Sequence, residues 1–142
     1  MYLAPKLSLD DARVILAGSE AKAGEIGIDM DVAVVDDGGH LLAFIRMDKA
    51  RVTSIDVAIN KAFTAACARK ATHEYAVSAG AGGPAFGIHA SNQGRFTIFG
   101  GGLPIFIDGI IAGGVGCSSG SPDEDRAVAQ AGIDRLLEHL KK

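Results

Sequence analysis

One lysine of this chain has almost no polar neighbours in the sequence. Lys61 lies in a stretch without glycine or proline, and the residues three or four positions away are small or apolar: Val57, Ala58, Thr64 and Ala65. Burial among such groups lowers a lysine pKa, which suits the side chain to bind an anion or to act as a base in a pocket. The same pattern also fits a lysine that lies at an interface between subunits and whose ammonium group extends to solvent. The sequence leaves both interpretations open.

A single arginine closes an otherwise apolar run. Arg46 follows five apolar residues and precedes Met47 and Asp48. An arginine at the end of a strand often clamps a carboxylate through paired hydrogen bonds. That carboxylate belongs either to a ligand or to the protein itself, with Asp36, Asp37 and Asp48 as the internal candidates.

Two of the four histidines have neighbourhoods that suggest a ligand. His89 lies in an uncharged, glycine-rich region, and His73 lies at the end of a predicted helix, whereas His40 belongs to a turn and His139 to the exposed end of the last helix. No two histidines have the spacing of a metal-ligand pair, so we expect no zinc or iron site built from protein groups alone. His73 or His89 could still supply one axial ligand to haem, with Met47 as a weaker alternative.

The composition excludes several classes of protein. The 142 residues fit one domain, residues 1–142, and the 14 basic against 17 acidic residues leave a net charge of -3, which disfavours nucleic-acid binding. No apolar run approaches the roughly 20 residues of a membrane span, and the first residues lack the apolar core of a signal peptide. Cys67 and Cys117 have no redox or zinc spacing, so we expect reduced thiols and a cytoplasmic protein.

The region from Tyr75 to Ile107 carries one formal charge, Arg95, and most of the 19 glycines lie after residue 79. In a protein surrounded by water, such a stretch faces a partner subunit or a ligand, or it forms a buried loop. We therefore predict a homo-oligomer, because a monomer of this size would expose too little charge there.

Hydrophobic periodicity and turn residues predict the elements that must position these side chains. Ser8 and Ser121 have the pattern of helix N-caps, the latter with proline at the first helical position and glutamate at the third. Turn residues, including Asp108-Gly109, separate two pairs of apolar runs as in hairpins. In order, the predicted elements are a helix from Leu9 to Ile26, strands from Met30 to Val35 and Leu41 to Met47, a helix from Thr53 to about Thr72, strands from Arg95 to Phe99, Leu103 to Ile107 and Ile110 to Cys117, and a helix after Ser121. This order predicts an α+β protein with an antiparallel sheet covered by helices.

The glycine clusters do not form a nucleotide-binding motif. The cluster Gly100 to Gly102 leads into a predicted strand rather than into a helix. No helix N-terminus follows it that could bind a phosphate group. Pro104 places that strand at a sheet edge or a bulge. The glycines of the last strand, from Gly113 to Gly116, allow close approach either by a helix or by a flat ligand.

Taken in order, five short segments resemble the GlcG/HbpS-like family, which includes the carboxy-terminal domain of PduO-type proteins. The segments are Val34 to Gly39 with Leu42, Arg46-Met47-Asp48, Ser54 with Asn60-Lys61-Ala62, Phe99 to Pro104, and Gly113 to Gly120 with Asp125. The resemblance implies a profilin-like α+β fold with a five-stranded antiparallel sheet and assembly into homo-oligomers. Several members of the family bind haem or a corrinoid.

Two functions are compatible with these residues. The first is a small-molecule-binding accessory protein for haem or a corrinoid, in which Arg46, Lys61 and the Gly100 to Gly102 loop meet a carboxylated molecule and His73 or His89 binds the metal. The second is a cofactor-independent isomerase or lyase for a small oxygenated acid, with Lys61 as base or anchor and Arg46 on the carboxylate. The catalytic residues are otherwise unknown, and the sequence does not choose between these functions.

Overall fold

Four helices and four strands make up the regular structure in the computed structural model, which describes residues Met1 to Lys142. In chain order they are α1 (Leu9–Ile26), β1 (Asp31–Asp36), β2 (Leu41–Arg46), α2 (Ser54–Ala68), α3 (Tyr75–Ser78), β3 (Gly102–Ile107), β4 (Ile110–Ser118) and α4 (Pro122–Leu140). Single 3-10 turns lie at Thr72–Glu74, Ile88–Ala90 and Asn92–Gly94. This is the predicted α+β class. None of the helices combines the length and the hydropathy needed to cross a bilayer.

The sheet is antiparallel with the strand order β2-β1-β4-β3, so it has four strands and not the predicted five. The prediction of a strand from Arg95 to Phe99 is wrong. There the N–H of Thr97 donates to Thr64 Oγ1 at 2.9 Å, and that hydroxyl lies 3.2 Å from the carbonyl oxygen of Arg95. The backbone is therefore tied to α2 rather than to a neighbouring strand. Pro104 lies in the edge strand β3, as predicted, and has no N–H to offer a fifth strand.

The helix starts follow the predicted caps. Ser8 and Ser121 cap α1 and α4, and each side-chain oxygen accepts a hydrogen bond from the backbone N–H three residues on. The end of α2 differs from the prediction. The helix stops at Ala68 rather than near Thr72, because Arg69 adopts a left-handed conformation with φ of 56°.

The two faces of the sheet carry cores of different size. On one face, α1 and α4 pack together and enclose large side chains such as Ile15, Met30 and Leu136. On the other face, α2 lies against a cluster of small side chains: Ala33, Val35, Ala58, Ala62 and Ala66. Small residues let the α2 backbone come close to the strands, so polar groups on this helix reach the sheet directly.

Two glycines of β4 permit this close approach. A Cβ on Gly116 would collide with the carbonyl oxygen of Ala58, and a Cβ on Gly114 would lie 2.6 Å from the carbonyl oxygen of Ala62. Of the two interpretations of these glycines, close helix packing is therefore the correct one. The space above them is filled by α2, which leaves no room for a flat ligand.

Candidate functional site

Lys61 is completely buried between α2, β4 and the start of α4. Its Nζ donates hydrogen bonds to the carbonyl oxygen of Cys117 at 2.9 Å and to Asp125 Oδ2 at 2.8 Å. The same atom lies 5.0 Å from the centre of the Phe99 ring, within cation–π distance. The interpretation of Lys61 as a solvent-reaching lysine is wrong, because its side chain is only 1% exposed. Asp125 fills the hollow that the small neighbours predicted.

Burial and pairing act in opposite directions on this ion pair. Burial lowers the pKa of Lys61, and the hydrogen bond and charge of Asp125 raise it. Burial likewise raises the pKa of Asp125, while Lys61 and the backbone N–H of Gly120, 2.9 Å from Oδ1, lower it. The lowered pKa is the direction that the sequence predicts for Lys61. Each charge depends on the other, because removing one partner would leave a buried charge uncompensated.

The Gly100–Gly102 loop closes over this pair. Gly101 has a φ of 126°, its carbonyl oxygen accepts the N–H of Cys117 at 2.9 Å, and a Cβ at this position would lie 2.7 Å from Lys61 Nζ. The N–H of Gly102 donates to Thr72 Oγ1 at 2.9 Å. These glycines therefore allow the loop to pack on Lys61 and on β4. Their predicted contact with a ligand stays a prediction.

Arg46 lies elsewhere, at the exposed end of the edge strand β2. It borders an open cavity of about 440 Å³, whose other lining residues are Glu20, Asp29, Ile45, Met47 and Asp48. Arg46 forms no ion pair with any of the three internal candidates: Asp36 contacts His40 at 3.2 Å, Asp37 contacts Lys6 at 3.1 Å, and Asp48 lines the cavity without a salt bridge to Arg46. Arg46 and Lys61 share no cavity, so one subunit does not bring the two predicted site residues together.

The two candidate histidines have different surroundings. His73 is half-buried against Gly100, its Nδ1 is buried without a hydrogen-bond partner, and burial lowers its pKa. His89 is exposed, and its ring meets Phe86 edge-on with the centroids 5.7 Å apart. Only His89 faces an open cavity.

That cavity, which we name the α2 groove, lies between α2 and the segment that follows His89. It has a volume of about 450 Å³ and is lined by Val57, Asn60, His89, Gly94, Phe96, Thr97, Ile98 and Phe99. Its outer wall is held in place by the bond from Thr97 to Thr64 on α2, described above. Phe96 is held from behind by Tyr75, whose ring is edge-on at 4.9 Å. The groove is therefore a preformed, mostly apolar site with a few polar groups, the usual character of a small-molecule site.

Sequence reasoning missed Val57, Phe96, Thr97 and Ile98 as lining residues. The absence of charge from Tyr75 to Ile107 was a signal for Phe96, Thr97 and Ile98, but the expected strand would have turned alternate side chains of this segment away from α2. In the sequence, Val57 stood out only as a neighbour of Lys61. Phe99 connects the two sites, because its ring both lines the α2 groove and covers the ammonium of Lys61.

A second buried carboxylate lies at the start of β1. Asp31 is completely buried; its Oδ2 accepts a hydrogen bond from Ser119 Oγ at 3.0 Å, and its Oδ1 has no hydrogen-bond partner. Burial raises the pKa of Asp31, against the opposite effects of Ser119, Arg46 and Arg51. Nothing in the sequence singled out this residue, because a single aspartate near the start of the predicted strand from Met30 to Val35 has the pattern of a solvated strand end.

Comparison with known proteins connects this architecture to a family. The family model described as haem degrading protein HbpS-like matches residues 7–134. An uncharacterised 15.0 kDa protein in the dhaT-dhaS intergenic region of Citrobacter freundii is 42% identical over 132 residues, which are 93% of each chain. The corrinoid adenosyltransferase PduO of Salmonella typhimurium is 33% identical over 127 residues, 89% of this chain but 38% of PduO.

A solved structure extends the match to three dimensions. The crystal structure of a PduOC:haem complex superposes with a TM-score of 0.87 and 32% identity, covering 92% of this chain and 94% of that one. The family model spans Arg46, Lys61 and the whole α2 groove, so the resemblance seen in the sequence is confirmed over both candidate regions. The chain belongs to the HbpS-like family.

Proposed function

We propose that this chain is a small-molecule-binding accessory protein that holds haem, or a related tetrapyrrole such as a corrinoid, in the α2 groove. One observation carries the proposal: the groove places an exposed histidine, His89, beside the apolar side chains of Phe96, Ile98 and Phe99. A flat apolar molecule with a metal at its centre needs this combination of an apolar wall and one nitrogen ligand. The haem complex of the related PduOC structure and the family's description as haem degrading support the choice of ligand.

The residues of the groove fit such a ligand. His89 makes no hydrogen bond within the protein, so a ring nitrogen is free to bind a metal, whereas His73 packs against Gly100 outside the groove. Bound haem would supply the ligand-binding and redox chemistry of its iron. Asn60 and Thr97 offer polar groups at the wall of the groove. Lys61 does not line the groove but supports its wall, because its ammonium group contacts the Phe99 ring.

A haem titration followed by absorbance tests this assignment. We expect wild-type protein to form a Soret band that saturates with haem, and we expect His89→Ala to weaken binding at least tenfold or to shift the band. His73→Ala should have a smaller effect. His139→Ala, at the exposed end of α4, is the matched control and should behave as wild type. An unchanged band in the double variant His73→Ala/His89→Ala would show that the metal ligand lies elsewhere.

The same titration with cobalamin separates the two classes of tetrapyrrole. Native mass spectrometry with haem, cobalamin and a panel of hydroxy acids measures each complex directly. The hydroxy acids address the alternative enzyme function, which required Arg46 and Lys61 in one site. The two side chains share no cavity, which removes both the catalytic pair and their joint contact with a ligand carboxylate. The groove beside His89 needs neither residue as a direct contact, and it therefore favours the binding protein.

We also propose that the chain acts in the cytoplasm as a homo-oligomer. The uncharged region exposes Val77 by 87% and Phe86 by 62%, which is the kind of surface that a partner subunit covers. Both cysteines are free, as suits a reducing compartment. Sedimentation velocity at micromolar concentration should show a species larger than 14.6 kDa that Val77→Asp makes smaller. A 14.6 kDa species at all concentrations would contradict self-association.

A further inference from the structure

The wall of the α2 groove carries almost no formal charge. Of its eight lining residues, only His89 can ionise, and its ring is the proposed metal ligand. The other lining residues are apolar side chains, a glycine, Asn60 and Thr97. A carboxylate that entered the groove would lose its water without gaining a cation, which costs free energy. The wall therefore disfavours a charged edge of a ligand.

Two cations that lie next to lining residues in the sequence are already engaged elsewhere. Lys61 pairs with Asp125 at 2.8 Å, is only 1% exposed, and is separated from the groove by the Phe99 ring. The Cζ atom of Arg95 lies 3.7 Å from the centre of the Phe63 ring, which borders a separate cavity of about 110 Å³. Neither cation lines the groove, so neither provides a counter-ion for a ligand carboxylate there.

Asn60 has hydrogen-bonding capacity that the chain itself does not use. Its backbone carbonyl accepts a hydrogen bond from Thr64 Oγ1 at 2.8 Å, but its half-buried side-chain amide makes no hydrogen bond within the chain. The hydroxyl of Thr97, by contrast, lies 3.4 Å from the carbonyl oxygen of Arg95. A free amide offers two N–H donors and one acceptor, all uncharged. Asn60 is therefore suited to recognise a neutral polar group.

We propose that the α2 groove selects a metal-containing macrocycle whose inserted edge is uncharged, and that Asn60 determines this specificity by donating a hydrogen bond to a neutral oxygen on that edge. The inference rests on the proposed function, because it concerns the ligand of the same groove. An ester, amide or keto oxygen on the macrocycle meets the requirement. Carboxylates on another edge of the ligand stay in solvent at the mouth of the groove.

Haem and haem dimethyl ester test this preference, because they share the ring and the metal and differ in the charge of one edge. In absorbance titrations of the full chain, we expect the ester to bind about fivefold more tightly than haem, the effect of one hydrogen bond between neutral groups. Asn60→Leu keeps a similar side-chain volume and removes the amide, so it should abolish the difference. If general hydrophobicity were the cause of the preference, the more apolar wall of Asn60→Leu would preserve or increase it.

A charge placed on the wall provides a second test. Asn60→Asp keeps the shape of the side chain, and we expect it to weaken binding of the ester by about tenfold or more, because the ligand would take a carboxylate out of water without a cation. The matched control is Asn92→Asp, which adds the same charge to an exposed residue that lines the separate cavity instead of the groove. This control should bind within about twofold of wild type. Circular dichroism establishes that each variant is folded, and equal affinities of the two aspartate variants would overturn the role of Asn60.

The outcomes separate this inference from the proposed function. The absence of a saturable Soret band with either ligand would contradict both. A saturable band that depends on His89 but shows no preference for the ester would overturn the selectivity and leave the binding function standing. A preference that persists in Asn60→Leu would overturn it in the same way.

Discussion

At the scale of single residues, the Lys61–Asp125 ion pair is the salt bridge of the chain whose two side chains are both buried. Lys61→Met keeps the length of the side chain but leaves the Asp125 carboxylate buried without its cation. We expect a loss of about 3–5 kcal/mol in the free energy of unfolding, measured by urea denaturation. The double variant Lys61→Met/Asp125→Leu should recover much of this loss, because it removes both charges.

The control for this prediction is Lys141→Met, which removes an exposed lysine from an ion pair with Glu138. Exposed pairs contribute at most about 1 kcal/mol, so this variant should unfold nearly as wild type does. If Lys61→Met were equally harmless, the ion pair would not hold α2, β4 and α4 together as the structure indicates.

At the scale of secondary-structure elements, the contact between α2 and β4 depends on a glycine in the strand. Gly116→Ala would place a methyl group against the carbonyl oxygen of Ala58 and force the helix away from the sheet. Overpacking of this kind costs about 1–3 kcal/mol, so we expect the midpoint of urea unfolding to fall accordingly. The displaced helix should also alter the α2 groove and weaken ligand binding.

Gly24→Ala is the matched control for the glycine substitution. Gly24 lies within α1, and a Cβ there would meet no atom within 4 Å. Alanine is favoured over glycine inside a helix by about 0.5–1 kcal/mol, so this variant should be more stable than wild type. Equal effects of the two substitutions would contradict the role of close packing at β4.

At the scale of the whole molecule, buried Asp31 makes the stability of the fold depend on pH. Burial raises the pKa of Asp31 in the folded state, so the folded chain holds this proton to a higher pH than the unfolded chain does. The contribution of Asp31 is fully present below the pKa of the unfolded state and is lost as the pH rises through the folded pKa. Asp31→Asn keeps an acceptor for Ser119 but cannot ionise.

Thermal unfolding between pH 4 and pH 8 measures this effect. We expect wild type and Asp31→Asn to be closest in stability at pH 4, and the variant to become progressively more stable than wild type as the pH rises. Parallel curves for the two proteins would mean that Asp31 has the same pKa in the folded and unfolded chains.

Much of the fold was predictable because it depends on local signals. Ser8 and Ser121 specify helix starts through hydrogen bonds three residues away, and Asp108-Gly109 specifies a hairpin turn through its own backbone preferences. The region from Arg95 to Phe99 was mispredicted because its structure depends on contacts with a distant part of the chain. Its apolar residues have the composition of a strand, but Arg95 and Thr97 make their hydrogen bonds to Thr64, 31 and 33 residues earlier in the chain.

The sequence by itself determined that Lys61 has small or apolar neighbours one helical turn away, and it left open whether the ammonium is buried or reaches solvent. Only the tertiary structure decided that Lys61 is buried, that its counter-ion is Asp125, 64 residues later, and that Arg46 lies apart from it at a sheet edge. The sequence likewise showed an uncharged, glycine-rich region with His89 inside it. The groove that gives His89 apolar neighbours exists only after α2 and this region pack together. Local patterns report the environment that a residue requires, whereas the partners that provide it come from distant parts of the chain.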